Sequence, residues 1–228
     1  MEKLADFDHP LVAQTAARLV ADAKTPRESL ARIFNYVRDD IAFAFPPDGD
    51  FVKASDTIRS GYGQCNTKGT LFLALCKAAG IPARLHFSKI TKEIQRGFFT
   101  GIPYALLPDQ LSHSWIEVDL GGEWYAIDSY INDQKLHDMA VAELARRNWK
   151  TGFSVSLAKG AASADLVLDG AHFSQMAAVE GDDGVWGDPA QFYAQGDYRN
   201  KVGPIRQRLY RMFLPLINGR VARLREGR

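Results

Sequence analysis

The stretch from Cys65 to Pro82 limits the fold of this chain more than any other. Between Cys65 and Ala79 there is no proline and one internal glycine, Gly69, while Leu71, Phe72, Leu75 and Cys76 supply an apolar face. Such a pattern predicts a buried helix. Gly80 followed by Ile81-Pro82 is the glycine-then-proline ending of a helix terminus. Gly61 and Gly63 let the chain turn sharply into the helix start.

Other elements are legible around it. Pro10 to about Ala23 reads as a first helix, with Asp8 available as its cap. Thr25-Pro26-Arg27-Glu28 is a capping box with proline at the first helical position, opening a second helix through Leu30, Ile33, Phe34 and Val37. Phe45 to Gly63 is expected to be a loop with one short helix near Ala54 to Arg59. Ala83 to Phe87 reads as a strand, and Ser88 to Ser112 as a long irregular insertion that overhangs a site. A hairpin follows, turning at Gly121-Gly122. Leu136 to Arg147 is a further helix, Phe153 to Leu157 has strand character, and Val179 to Tyr198 reads as loop.

With 46% hydrophobic and 24% charged residues in 228, the composition is that of a soluble globular protein. No stretch reaches the roughly 18 to 20 apolar residues that span a bilayer, and the acids near Met1 do not suit a signal peptide, so a cytoplasmic protein is expected. Charge is unevenly placed. Lys201 to Arg228 holds eight basic residues against Glu226, a balance of +7, which leaves −6 for the rest of a chain whose net charge is +1. Ile205, Leu209, Met212, Phe213 and Leu216 fall on one side of a basic helix expected from Ile205 to about Leu224, bent at Pro215 and Gly219. Packing on the acidic body is the expected role, and contact with an anionic membrane surface the alternative. Nucleic acid is not an expected partner.

Chemistry is concentrated at Cys65. The first turn of a helix offers unpaired N–H groups and a dipole that favour a thiolate, and the Cys65 N–H can itself stabilise an oxyanion. Cys76 reads as a small core residue. Eleven residues of helix put the two cysteines about 16 Å apart, beyond the roughly 7 Å limit of a disulfide, so free thiols and a reducing compartment are expected.

A thiolate needs a base, and an imidazole oriented by a third group is the usual one. A tight turn at Gly121-Gly122 would place Trp115 opposite Asp128 with His113 one diagonal step away on the same face. A four-residue loop would place His113 directly opposite Asp128, and only an odd-length loop would separate them. His9, His86, His137 and His172 read as surface or structural residues. No metal-ligand spacing, phosphate-binding loop or dinucleotide fingerprint occurs, so neither metal nor cofactor is expected.

Three motifs make the chain resemble the transglutaminase-like superfamily, a circularly permuted relative of the papain-like cysteine proteases. Tyr62-Gly63-Gln64-Cys65, then Leu71-Phe72-Leu73-Ala74-Leu75 and Ala79-Gly80-Ile81-Pro82-Ala83-Arg84, is similar to the nucleophile helix and following strand. His113-Ser114-Trp115-Ile116-Glu117-Val118 is similar to the histidine strand, and Trp124-Tyr125-Ala126-Ile127-Asp128 to the aspartate strand. The core motifs span 26–132.

The resemblance implies an α+β, papain-like fold with the nucleophile helix packed on an antiparallel β-sheet. Residues 1–150 would form the catalytic domain, and 151–228 an extension ending in the basic helix and packed on that domain. It implies a cysteine-dependent hydrolase of peptide or protein amide bonds with Cys65, His113 and Asp128 as triad and Trp115 in the substrate groove. Acyl transfer to an amine, or a non-catalytic binding or regulatory module, are the alternatives. Asn66 departs from the tryptophan often found after the nucleophile, and Arg59 stands where papain-type enzymes carry an upstream glutamine. The second oxyanion donor is therefore open, with Gln64 and Tyr62 as candidates.

Overall fold

The computed structural model describes residues 2–168, 174–201 and 203–228. The predicted buried helix is α4, Cys65–Ala78, the fourth of eight α-helices among the described residues. It is preceded by α1 (Pro10–Val20), α2 (Pro26–Asn35) and α3 (Ala54–Ser60). Two residues each of β1 (Ala42–Phe43) and β2 (Tyr62–Gly63) pair in parallel and lead the chain into Cys65. The α1 cap is His9, whose Nδ1 accepts from the Leu11 N–H, in place of the expected Asp8. Thr25 caps α2 as its sequence requires, accepting from Glu28 N–H at 3.1 Å.

α4 is buried continuously from Asn66 to Cys76, because α1, α2 and α3 cover one side and a sheet covers the other. That sheet has four antiparallel strands in the order β5-β4-β3-β8. They are β3 (Ala83–Thr91), β4 (Gln110–Asp119), β5 (Trp124–Ile127) and β8 (Gly184–Trp186). Gly69 is required where helix meets sheet. A Cβ there would lie 2.8 Å from the Tyr130 hydroxyl and 3.3 Å from a Leu85 methyl, so no side chain fits without displacing one of them.

β3 runs four residues past the expected end at Phe87, since Ser88 to Thr91 pair with His113 to Gln110. The insertion is thus 92–109, containing a 3-10 turn at Lys92–Gln95 and a short helix, α5 (Ile102–Ala105). The hairpin register is that of the two-residue turn: Ile116 faces Ile127, and Leu120 N–H bonds Glu123 C=O at 2.9 Å.

Beyond β5, α6 (Gln134–Arg147) starts at an Asp133 cap, and β6 (Thr151–Gly152) and β7 (Val155–Ser156) make a small hairpin. The segment 179–198, expected to be loop, instead contains β8 and α7 (Pro189–Tyr193), the latter capped by Asp188. α8, Pro204–Arg225, is continuous through Pro215 and Gly219. It packs on the body, burying Ile217 and Val221 and tying Asn218 to the backbone of Phe45 and Arg225 to Asp133. No helix among the described residues is long and apolar enough to cross a membrane. His172 lies outside the described residues.

Candidate active site

Cys65 is the first residue of α4, and its side chain reaches a cleft of about 200 Å³. Both cysteines are free thiols, Cys76 sealed in the core. The cleft floor carries Gln64 and Cys65, and Leu106, Leu107 and Phe99 of the 92–109 insertion form one wall. α8 supplies the opposite wall through Leu209 and Phe213, and Arg199, Lys201 and Arg206 add positive charge. The insertion therefore does overhang the nucleophile, and the extension completes the enclosure.

Beneath the cleft lies a polar hub absent from the sequence reading. Asp50, almost fully buried, accepts from Gln64 Nε2 at 2.5 Å, Asn66 Nδ2 at 2.8 Å, the Tyr198 hydroxyl at 2.9 Å and Asn200 Nδ2 at 2.8 Å. Four neutral donors stabilise its charge incompletely, and burial still raises its pKa above the usual carboxylate range. The loop expected from Phe45 to Gly63 gave no hint of this role, because two of the four partners, Tyr198 and Asn200, come from far along the chain.

Asn66, the departure from the family's tryptophan, places Cys65 beside β4. Its Nδ2 also donates to Ser112 C=O at 3.1 Å, and its Oδ1 accepts from the Ser114 hydroxyl at 3.0 Å. Both sequence neighbours of His113 are thus bonded to the residue that follows Cys65. His113 itself is wholly buried, and neither ring nitrogen has a hydrogen-bond partner among the described residues. Burial lowers its pKa to about 3, which keeps the imidazole neutral at physiological pH.

Asp128 follows β5, and continuing the β4–β5 register by one step sets it opposite Trp115, on the face expected for His113. Its carboxylate does not bond His113. It accepts instead from the backbone N–H groups of Ser174 and Gln175, each at 2.7 Å, and of Met176 at 3.0 Å. Burial raises Asp128 to about 6 against the opposing pull of those N–H groups. One of these N–H groups reaches Oδ1 and two reach Oδ2.

The expected easy deprotonation of Cys65 is not met in this state. Cys65 keeps part of its surface open to the cleft, yet burial first, and then the charges of Asp50 and Asp128, push the thiol up. The N–H groups of Asn66 and Cys65 pull the other way but do not win. The resting pair is a neutral thiol and a neutral imidazole.

The remaining candidates fall on both sides. Gln64 lines the cleft with one amide N–H committed to Asp50, whereas Tyr62 is not on the cleft wall. Trp115 is not on the wall either. It stacks on His86 at 4.2 Å between ring centroids, and His86 is bracketed by Glu117 at 2.6 Å and Asp182 at 2.8 Å. Strand alternation gave Trp115 its face correctly but could not reveal that His86, its partner across β3, would cover it.

Comparison with known proteins gives the lineage of this arrangement. The transglutaminase-like superfamily model matches residues 13–129. The chain belongs to the transglutaminase-like superfamily. Among solved structures it is similar to a candidate cysteine protease from Cytophaga hutchinsonii, at 21% identity and a TM-score of 0.44, over 56% of this chain and 38% of that one. It is also similar to a candidate protease from Parabacteroides distasonis, at 16% identity and a TM-score of 0.38, over 54% of this chain and 25% of the other. A structure described as a TGase matches at 13% identity and a TM-score of 0.36, over 57% and 32%. The chain thus spans well under half the length of each of these proteins. No match is found among curated proteins. The span shared with the superfamily holds Cys65, His113 and Asp128, while Asn200 and α8, which line the same cleft, and Tyr198, which bonds Asp50, lie beyond it.

Proposed function

We propose that this protein is a cysteine-dependent hydrolase of amide or peptide bonds. The observation that carries the reading is the tie from Asn66 to both neighbours of His113, which holds an unpartnered imidazole beside the strand-facing end of the nucleophile helix. In this reading the Cys65 sulfur attacks the substrate carbonyl as a small movement lets His113 take the thiol proton. The N–H groups at the α4 N-terminus receive the developing oxyanion. His113 then returns the proton to the leaving amine, forming a thioester. Water adds to the thioester with His113 again as base, and the carboxylic acid leaves as the thiol is restored. Asp128 would orient His113 after that movement, while its backbone contacts pin the segment at Ser174 to Met176.

The apolar walls suit an acyl group with a large apolar side chain, somewhat bigger than the benzene that fits a cavity of about 150 Å³. Acyl transfer to an amine would use the same thioester. The charge of the lining favours hydrolysis over it, because Arg199, Lys201 and Arg206 outnumber the Asp50 carboxylate and repel a protonated primary amine. Fluorogenic peptide amides with Phe or Leu on the acyl side should be cleaved by the native protein and not by Cys65→Ala. A product that carries an added diamine would move the reading to acyl transfer. An unreactive Cys65 towards apolar thiol-directed peptide probes, in folded protein, would leave only the non-catalytic module.

A further inference from the structure

A second cleft, of about 440 Å³, lies on the far side of Phe99, which belongs to the walls of both. Five arginines line it, Arg96 from the insertion, Arg147 from the end of α6, and Arg220, Arg223 and Arg228 from α8 and the residues after it. The one carboxylate on its wall, Glu143, is already held by Arg146 and Arg147. Arg228 has Glu226 at 3.4 Å. Arg96, Arg220 and Arg223 have no acidic partner among the described residues, so three positive charges converge on one concavity without compensation.

Two of these guanidinium groups are held in place before any ligand arrives. Arg96 lies over the Trp149 ring at 4.0 Å and donates through Nη2 to Thr151 C=O at 2.9 Å, while its Nε is buried with no partner. Arg220 donates through Nη1 to Phe98 C=O at 2.9 Å. Each keeps further N–H groups uncommitted. No lysine lines the cleft. Arginine alone, fixed by stacking and carbonyl contacts, is the arrangement that meets a tetrahedral or planar oxyanion with paired hydrogen bonds.

We propose that this cleft binds a small molecule carrying phosphate, with Arg96, Arg220 and Arg223 as its ligands. A phosphate offers two negative charges and three acceptor oxygens, enough to satisfy the uncompensated charge. Concavity favours a small ligand over an extended surface, and guanidinium groups occupy Trp149, so recognition rests on the phosphate rather than on a stacked base. The proposal does not depend on the chemistry assigned to Cys65.

Calorimetric titration of the full chain with inorganic phosphate and pyrophosphate tests it. Saturable one-site binding of pyrophosphate is expected, weakened about tenfold by Arg223→Gln and about a hundredfold by Arg220→Gln with Arg223→Gln. Circular dichroism would establish that both variants are folded. Arg208→Gln removes the same charge from α8 outside the cleft and should bind as the native chain does. Equal weakening by Arg208→Gln, the absence of saturable heat, or binding only to an oligonucleotide or to anionic phospholipid vesicles would each overturn the proposal.

Discussion

The span shared with the superfamily, 13–129, and the segments after it meet at one cleft but contribute different parts of it. The first carries Cys65 at a helix start, His113 on β4 and Asp128 just after β5. The second provides the α8 side of the apolar lining, the cationic rim and two donors to Asp50, while the 92–109 insertion of the first supplies the rest of that lining. The shared span thus carries the candidate triad, and the later segments carry the charge of the rim and help close the cleft.

The sharpest way to break that division is Cys65→Ala, which should reduce amide hydrolysis by at least about a thousandfold while leaving pyrophosphate binding unchanged in calorimetry. Asp50→Ala comes next. It strands buried donors from both parts of the chain and should cost about 3 kcal/mol or more, read as a fall in thermal midpoint. If the loss stays below about 1 kcal/mol, the two parts are not coupled through this carboxylate.

Acid titration gives a smaller effect with a defined sign. His113 titrates near 6.5 when unfolded and about 3 when folded, so between those values the unfolded chain binds more protons and stability falls as pH falls. Asp128, raised from 3.8 to about 6, works oppositely between those two values. The His113 contribution approaches about 1.4 kcal/mol per pH unit at mid-window. His113→Gln should flatten the acid loss measured by urea unfolding, and Asp128→Asn should steepen it below pH 6. Smallest is Phe213→Ala in the α8 wall. It should raise KM for apolar acyl substrates about fivefold with little change in kcat, from partial loss of apolar contact.

What was legible in the sequence follows the same division. The ends of α4, the Thr25 cap and the Gly121-Gly122 turn are local decisions, made by residues within a few positions of one another. Both turn glycines have positive φ, at 76° and 97°, a backbone that side chains resist, and this sets the hairpin register. The misses were non-local. Ser88-Lys89-Ile90-Thr91 reads as irregular until 110–113 pairs with it, and β8 has β3 as its one neighbour in the sheet. Asp50 looks like a turn residue until Tyr198 and Asn200 reach it. The hydrogen-bonded partners of Asp128 are backbone amides far along the chain, which carry no side-chain signature at all.

The Asp50 hub also has a consequence for the order of events during synthesis. Domains form progressively as the chain emerges from its amino end. Gln64 and Asn66 can reach Asp50 early, but Tyr198 and Asn200, which also clasps Ser112 beside His113, emerge late. The polar hub beside the Cys65 cleft is therefore finished only when nearly the whole described chain has been made. A nascent chain thus exposes the Cys65 sulfur before the residues that enclose it have emerged.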